Sequence, residues 1–414
     1  MKGYKHTELG WIPEEWECLE LSHITQNERP ISYGIVQTGL PVDDGIKCIR
    51  VLDIVDGKID DQNLITTSHE ISNAYKRTVL KEGDLVMALR GKIGELARAT
   101  KSHEGYNLTR GVALVAPKIN YDSEYLKQQI SSPFFRDYLM AHLNGSALKE
   151  LAINVVRRIK VPIPKNKSEQ LKIAEVLSTW DKSIETLTQL IAAKQQLKKG
   201  LMQQLLTGKK RFEEFKNEKW HYNSLGDIAS IRRGASPRPI NNPNFFSHTG
   251  RGWIRISDVT FEKGKLLNFT SQYLSDLGAS HSVKVEIGDL IMSICATIGV
   301  PKIVNIPSCI HDGFVLIRDY ETSLEKEFLY HFIEFITPKL ADSGQPGTQR
   351  NLNTDIVSRI QIPVLSLSEQ KKIAEVLSFC DNEIIDIEKS LENCKLQKQG
   401  LMQQLLTGKK RVKV

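Results

Sequence analysis

Arginine, glutamine and asparagine side chains gather in a few turn-like stretches of this sequence, and their chemistry is hydrogen bonding to flat polar edges. In the N-terminal half the stretches are Asn27-Glu28-Arg29-Pro30-Ile31-Ser32-Tyr33-Gly34 with Gln37 close behind, Arg90-Gly91-Lys92, and Asn107-Leu108-Thr109-Arg110-Gly111. In the C-terminal half they are Arg232-Arg233-Gly234-Ala235-Ser236-Pro237-Arg238 and Gln345-Pro346-Gly347-Thr348-Gln349-Arg350-Asn351. Arg, Gln and Asn can each make paired hydrogen bonds to a guanine or adenine edge in the major groove. Lys, Ser, Thr and the N–H groups of Gly-rich turns suit phosphate oxygens. Any one such loop is ordinarily a solvated surface turn. Their clustering at equivalent places in both halves raises the nucleic-acid reading. The candidate contact residues are Arg29, Tyr33, Gln37, Arg90, Lys92 and Arg110 in the first half, and Arg232, Arg233, Arg238, Thr297, Gln349, Arg350 and Asn351 in the second.

Motifs for covalent chemistry do not accompany these loops. The sequence has no G-x-x-x-x-G-K-[ST] phosphate loop, no G-x-G-x-x-G and no H-E-x-x-H. Its ten histidines are dispersed, and its six cysteines include no Cys-x-x-Cys pair, which argues against a zinc ribbon or a disulfide scaffold. Asn242-Pro243-Asn244-Phe245 superficially resembles the Asn-Pro-Pro-Phe of amino-methylating DNA enzymes, but the second proline is missing and no Gly-rich cofactor motif goes with it.

The elements that must position the loops are written twice. Residues 168–212 and 368–412 are identical at 25 of 45 positions with an offset of 200 and no gap. The intervening stretches correspond more loosely. Trp16-x4-Leu21 matches Trp220-x4-Leu225, and Ile49-Arg50-Val51-Leu52-Asp53-Ile54 matches Ile254-Arg255-Ile256-Ser257-Asp258-Val259. Gly83-Asp84-Leu85-Val86-Met87 matches Gly288-Asp289-Leu290-Ile291-Met292, and Arg158-Ile159-Lys160-Val161-Pro162 matches Arg359-Ile360-Gln361-Ile362-Pro363. The order is variable module, near-identical spacer, variable module, near-identical spacer, the kind of internal repetition that governs the whole architecture.

Each spacer reads as one helix. Ser168 and Ser368 are candidate N-caps with Glu169 and Glu369 in the first turn, and Gly208 and Gly408 stand where a C-terminal glycine cap belongs. About 39 residues between caps would span roughly 58 Å. Ile173, Trp180, Leu187, Lys194 and Leu201 interleave at 4 and 3 with Leu177, Ile184, Ile191, Lys198 and Leu205, the a/d signature of a coiled coil. The second copy repeats it with Ile373, Cys380, Ile387, Cys394 and Leu401 against Leu377, Ile384, Leu391, Lys398 and Leu405. Chain direction favours an antiparallel pair. Gly200 and Gly400 allow a kink, and the leucines of Leu201-Met202-Gln203-Gln204-Leu205-Leu206 could equally face another protein or complete the bundle.

The variable modules read as mixed α and β. Short β-type runs fall at 84–89, 111–116, 159–162, 289–294 and 313–317, with Ser132-Pro133 and Thr337-Pro338 as helix starts. At 414 residues, 40% hydrophobic and 25% charged, the composition fits a globular chain of several domains. A net charge of +7 is compatible with a nucleic-acid partner. The absence of an apolar run of about 20 residues and of a signal-like opening leads us to expect a cytoplasmic protein.

Taken together, the Trp-x4-Leu openings, Gly-Asp-Leu-[Val/Ile]-Met, Ile-x-[Val/Ile]-Pro, Ser-Glu-Gln-x-x-Ile-Ala-Glu-Val-Leu and Leu-Met-Gln-Gln-Leu-Leu-Thr-Gly-Lys-Lys-Arg, each occurring twice, make the layout resemble the specificity subunit of type I restriction–modification systems over the whole chain. The resemblance implies an α+β fold of two target-recognition domains in pseudo-twofold arrangement, separated by two long helices forming an antiparallel coiled coil. It divides the chain into target-recognition domain 1 (1–165), helical spacer 1 (166–211), target-recognition domain 2 (212–366) and helical spacer 2 (367–414). It also implies that each domain reads one half of a bipartite, asymmetric double-stranded DNA target. The chain itself would be non-catalytic. It would join two methyltransferase subunits and the restriction/translocase subunits, with AdoMet, ATP and Mg2+ belonging to those partners. Ile173, Leu177, Trp180, Ile184, Leu201, Leu205, Ile373, Leu377, Ile384, Leu401 and Leu405 are the expected coiled-coil and partner-interface residues. The competing readings are a helical scaffold that bridges proteins without reading DNA, and a stand-alone DNA-modifying enzyme.

Overall fold

The computed structural model describes residues 3–141, 150–342 and 351–413. It divides into two units, one of residues 1–186 and 390–414, the other of residues 187–389. Two helices of 39 residues, Lys167–Leu205 and Leu367–Leu405, each contribute one part to either unit. Both helices run unbroken through Gly200 and Gly400. A Cβ at either glycine would meet nothing within 4 Å.

Within the first unit, a sheet of four strands is ordered Leu96–Arg98, Leu85–Ala88, Val112–Val115, Ser32–Tyr33, antiparallel throughout. Leu85–Ala88 and Val112–Val115 are buried at every position, which explains why they read as continuous apolar runs rather than alternating ones. A second sheet of three strands places Ile46–Ile49 between Asn107–Leu108 and Ile65–Thr67. The module is closed by its own ends: Trp16–Glu20 pairs antiparallel with Lys160–Pro164, the strand that feeds the long helix. The second unit repeats the plan with five strands per sheet. Leu290–Ser293 lies between Phe314–Arg318 and Pro301–Val304, and His221–Ser224 pairs with Gln361–Val364.

Each core is sealed by the start of one long helix and the end of the other. Ile173, Leu177, Met402, Leu405 and Leu406 join the first core, and Ile373, Leu377, Met202, Leu205 and Leu206 the second. Leu205 and Leu405, 5% and 4% exposed, therefore complete the protein's own cores and are not free for a partner. Ile384 is also buried, while Trp180, Ile184, Leu201 and Leu401 are half-buried.

The helices pair antiparallel in each unit. In the first, Asp181 meets Lys398 at 2.6 Å, and in the second Lys194 meets Glu383 at 2.8 Å and Lys198 meets Asp381 at 2.6 Å. The lysines that interrupt the heptads are thus answered by carboxylates.

Two local expectations need correction. Thr337-Pro338 does not start a helix, because Pro338 lies inside Lys326–Asp342. Phe328, Leu329, Phe332 and Ile333, all packed in the second core, hold that helix, and the Thr337 hydroxyl hydrogen-bonds the Ile333 carbonyl at 2.9 Å. The long helices also begin just before Ser168 and Ser368. At the first, the Asn166 side chain accepts from the Ser168 N–H at 2.9 Å. Pro133 does open a helix, Pro133–Ala141, and Gly208 and Gly408 adopt left-handed φ of 69° and 68° just beyond the long helices.

The repeated Ser-Glu-Gln motif acts as a joint. Gln170 accepts from the Asp122 N–H and donates to the Pro164 carbonyl, and Gln370 repeats this with the Glu325 N–H and the Leu365 carbonyl, each bond 2.8 Å.

Candidate nucleic-acid interface

In the first unit, the turn between Leu85–Ala88 and Leu96–Arg98 carries Arg90, Gly91 and Lys92, and the turn ahead of Val112–Val115 carries Thr109 and Arg110. These turns are held together by backbone bonds from Leu89 N–H to the Gly111 carbonyl at 2.9 Å and from Arg110 N–H to the Ile35 carbonyl at 2.8 Å. Gly91 is needed in its left-handed conformation (φ 67°) to turn the first loop. Arg90, Lys92 and Arg110 line one cleft of about 610 Å³ together with Arg50, Val36 and Leu52. Arg50 is committed to the frame. Its guanidinium bonds Asp53 at 2.9 and 3.0 Å and the Asn63 carbonyl at 2.7 Å, and its own N–H bonds the same carboxylate. Lys92 donates to the Ile54 carbonyl at 3.0 Å. The guanidinium groups of Arg90 and Arg110 are exposed and make no ion pair among the described residues.

Tyr33 and Gln37 are also exposed, Tyr33 at the end of Ser32–Tyr33 and Gln37 between two cleft-lining residues without lining it itself. Arg29 does not belong to this surface. Only 9% exposed, it clasps the Asp84 carboxylate at 2.6 and 2.9 Å and the Val79 carbonyl at 2.7 Å, so its fork is spent inside the fold. The arginine that read as a contact from its polar stretch belongs instead to a buried charge pair with Asp84.

The second unit builds the corresponding place from different residues. Ile294 N–H bonds the Gly313 carbonyl at 2.8 Å, as Leu89 does Gly111, which aligns Cys295-Ala296-Thr297 with Arg90-Gly91-Lys92 and His311-Asp312 with Thr109-Arg110. Ala296 holds the left-handed conformation (φ 56°) that Gly91 holds in the first unit, a costly choice for a residue with a Cβ. Thr297 is exposed. Arg233 donates to the Asp312 carbonyl at 3.1 Å and Arg238 to its carboxylate at 3.1 Å, so these two gather at one turn. Arg232 is exposed on Ser230–Arg233, and Asn351 is exposed. Gln349 and Arg350 lie outside the described residues.

Sequence reasoning missed His311, Asp312, Arg255 and Trp253. Arg255 stacks over Trp253, 5.3 Å from the ring centroid, and bonds Gln272 at 3.3 Å. Burial lowers the His311 imidazole's pKa below its ordinary value. Asp312 opposes the shift, and Arg255, Arg238 and Arg233 add to it. Its Nδ1 lies 3.0 Å from the Gly313 N–H and 2.9 Å from the Asp312 carboxylate. The repeated Ile-Arg-x-x-Asp of the two modules was the available signal for Arg50 and Arg255. In both, the Asp side chain accepts from the Arg backbone N–H, at 2.7 and 2.9 Å.

Among the described residues one cluster has the composition of a metal site: His331, Glu334 and Asp381. The Lys198 ammonium already lies 2.7 Å from Glu334 and 2.6 Å from Asp381, where a cation would sit. Among the described residues no helix is long and apolar enough to cross a membrane.

Comparison with known proteins agrees with this architecture. The family model for the type I restriction modification DNA specificity domain matches twice, over residues 45–196 and 217–396. A putative type I restriction enzyme MjaX specificity subunit of Methanocaldococcus jannaschii is 27% identical, with the alignment covering 100% of this chain and 97% of that one. The type I restriction enzyme EcoBI specificity subunit of Escherichia coli is 32% identical over 42% of this chain and 37% of its own. Among solved structures, the type I restriction–modification S subunit from M. genitalium shares the fold with a TM-score of 0.60 at 14% identity, covering 94% of this chain and 96% of that one. The two family matches cover most of the sequence and fall one on each variable module with part of its spacer. The chain belongs to the type I restriction modification DNA specificity family.

Proposed function

We propose that the chain reads a bipartite, asymmetric double-stranded DNA sequence, one half per unit, and brings partner subunits to it. The observation that carries this is the substitution of loop chemistry on a repeated frame. The same turns present Arg90, Lys92 and Arg110 in one unit and Cys295, Thr297 and Asp312 in the other. A frame kept while its exposed tips change is what two different half-sites require, since base-edge contacts specify sequence whereas phosphate contacts position the protein. The long helices, paired antiparallel in each unit, would set the separation between the half-sites, leaving an unspecified gap.

On this reading the chain is the non-catalytic member of its assembly and works in the cytoplasm. Two methyltransferase subunits would supply AdoMet-dependent chemistry, and restriction/translocase subunits the ATP- and Mg2+-dependent steps. The outward faces of the long helices, where Leu171, Leu197, Phe379 and Leu396 are exposed, offer apolar surface for such partners. The test is selection of random duplexes by the chain assembled with its methyltransferase subunits. Enrichment of two short sequences at a fixed spacing supports the reading. An assembled complex that binds DNA without enriching any sequence rejects it.

A further inference from the structure

The cleft of the first unit has one-sided hydrogen-bonding chemistry. Its lining side chains include four cations, Arg50, Arg90, Lys92 and Arg110, and no carboxylate, carboxamide or imidazole among the described residues. Arg50 is held by Asp53 and the Asn63 carbonyl through its Nε and Nη2, and Lys92 is tied to the Ile54 carbonyl. The Thr109 hydroxyl donates to the Ile49 carbonyl at 3.1 Å. The remaining wall is largely apolar, with Val36 and Leu52 exposed. Two guanidinium forks without a partner among the described residues, on Arg90 and Arg110, are therefore left in a cleft poor in acceptors.

Base pairs differ in what they offer such a surface. Guanine presents two adjacent acceptors, N7 and O6, which fit a guanidinium fork. Adenine presents an acceptor beside an amino donor, and cytosine presents an amino donor, so both require an acceptor on the protein. We infer that Arg90 and Arg110 each read the N7/O6 edge of a guanine, so that the half-site of the first unit contains two G·C pairs specified by these residues. The second unit does not use the same device. Cys295 and Asp312 stand where Arg90 and Arg110 stand in the first, and the Asp312 carboxylate is already taken up by Ser236 and Arg238, at 3.1 Å each. This inference rests on the DNA-reading role proposed above.

The test uses the full chain with its methyltransferase subunits and the duplex that the complex selects. Replacing single guanines by 7-deazaguanine removes the N7 acceptor without altering the protein. Two guanines of one half-site are expected to lose about 10- to 100-fold in affinity each. In parallel, Arg90→Ala and Arg110→Ala are each expected to relax one G·C position of that same half and leave the other half unchanged. Relaxation of A·T positions, or tolerance of 7-deazaguanine throughout that half, overturns the inference while leaving DNA reading intact. A complex with no sequence preference at all overturns the DNA-reading role itself. Should an alanine variant fail to assemble, Arg90→Lys and Arg110→Lys keep the charge but lose the fork, and the 7-deazaguanine result on the unaltered protein decides alone.

Discussion

Arg411 donates two hydrogen bonds, of 2.6 and 2.7 Å, to the Glu169 carboxylate, so the last residues of the second spacer grip the first turn of the other spacer's helix. Arg211 repeats the grip on Glu369 at 2.8 and 2.6 Å, where Trp220 adds a third bond of 3.1 Å. Each long helix is thus anchored at its start by the basic tail that follows the other. This explains why Ser-Glu-Gln and Gly-Lys-Lys-Arg are repeated together: each motif is half of a lock completed in the other copy.

The two locks should differ in strength. Glu369 is fully buried and Arg211 nearly so, whereas the Arg411 side chain is 40% exposed. Removing one partner of a buried pair strands the other charge, so Arg211→Ala should cost about 3 kcal/mol. Arg411→Ala also strands a buried carboxylate, Glu169, but the exposed arginine side admits water to it, so the loss should be smaller, about 2 kcal/mol. Urea unfolding of the two variants would check the order, and equal losses would contradict it.

Glycines that look alike in the repeat should respond oppositely. Gly200→Ala and Gly400→Ala place a Cβ in open space inside a helix, and each should stabilise by about 1 kcal/mol. Gly408→Ala should destabilise clearly, because its φ is left-handed and its Cβ would lie 2.4 Å from Pro13 Cγ. Gly208→Ala meets the Trp220 ring at 3.4 Å and should be the milder of the two. Melting temperatures of the four variants rank them directly.

Acid should loosen the second unit through Glu334. Burial pushes its carboxyl up, but the His331 hydrogen bond and the Lys198 ammonium outweigh burial and hold it below its ordinary value. A depressed carboxyl contributes stability that is present above its unfolded value and is lost as pH falls through the folded one. Burial likewise lowers Lys198, while Glu334 and Asp381 outweigh it and raise the ammonium above its ordinary value. Its contribution is present below that value and lost as pH rises through the raised one. Lys198→Met removes a cation that holds Glu334 down, so it should lower the melting temperature near pH 7 and flatten its fall toward acid pH, as a pH series of thermal melts would show. An unchanged pH profile would mean that the ion pairs add nothing.

Arg29 and Arg110 should separate structure from reading. Arg29→Met leaves Asp84 buried without its guanidinium partner and should lower the melting temperature, with the bound DNA sequence unchanged. Arg110→Ala should leave the melting temperature unchanged and alter sequence preference in one half-site only. Thermal melts combined with duplex selection on both variants make the comparison.

Much of the fold was legible in the sequence because the repeat carries it. The heptads announced the helices, and the Gly-Asp entries and apolar runs announced Leu85–Ala88 and Leu290–Ser293. Pro338 misled because proline usually opens a helix, while here the buried Phe328 and Ile333 carry the helix past it. The surface was less legible. Arg29 and Arg110 are the same residue type in similar polar stretches, and only the position of Asp84 tells the buried one from the free one. His311 and Asp312 left no local signal, because their place opposite Thr109 and Arg110 depends on the alignment of turns that the backbone bonds from Leu89 and Ile294 establish.

The central claim, that each unit reads its own half of one target, is tested most directly by mapping methylated bases across a genome. The cells would carry this chain with its methyltransferase subunits, and matched cells would carry a chimera whose residues 212–366 come from another family member. The account predicts a two-part methylation motif in which the exchange rewrites one half and leaves the other half unaltered. A motif that changes in both halves, or an assembled complex that methylates without any motif, would contradict it.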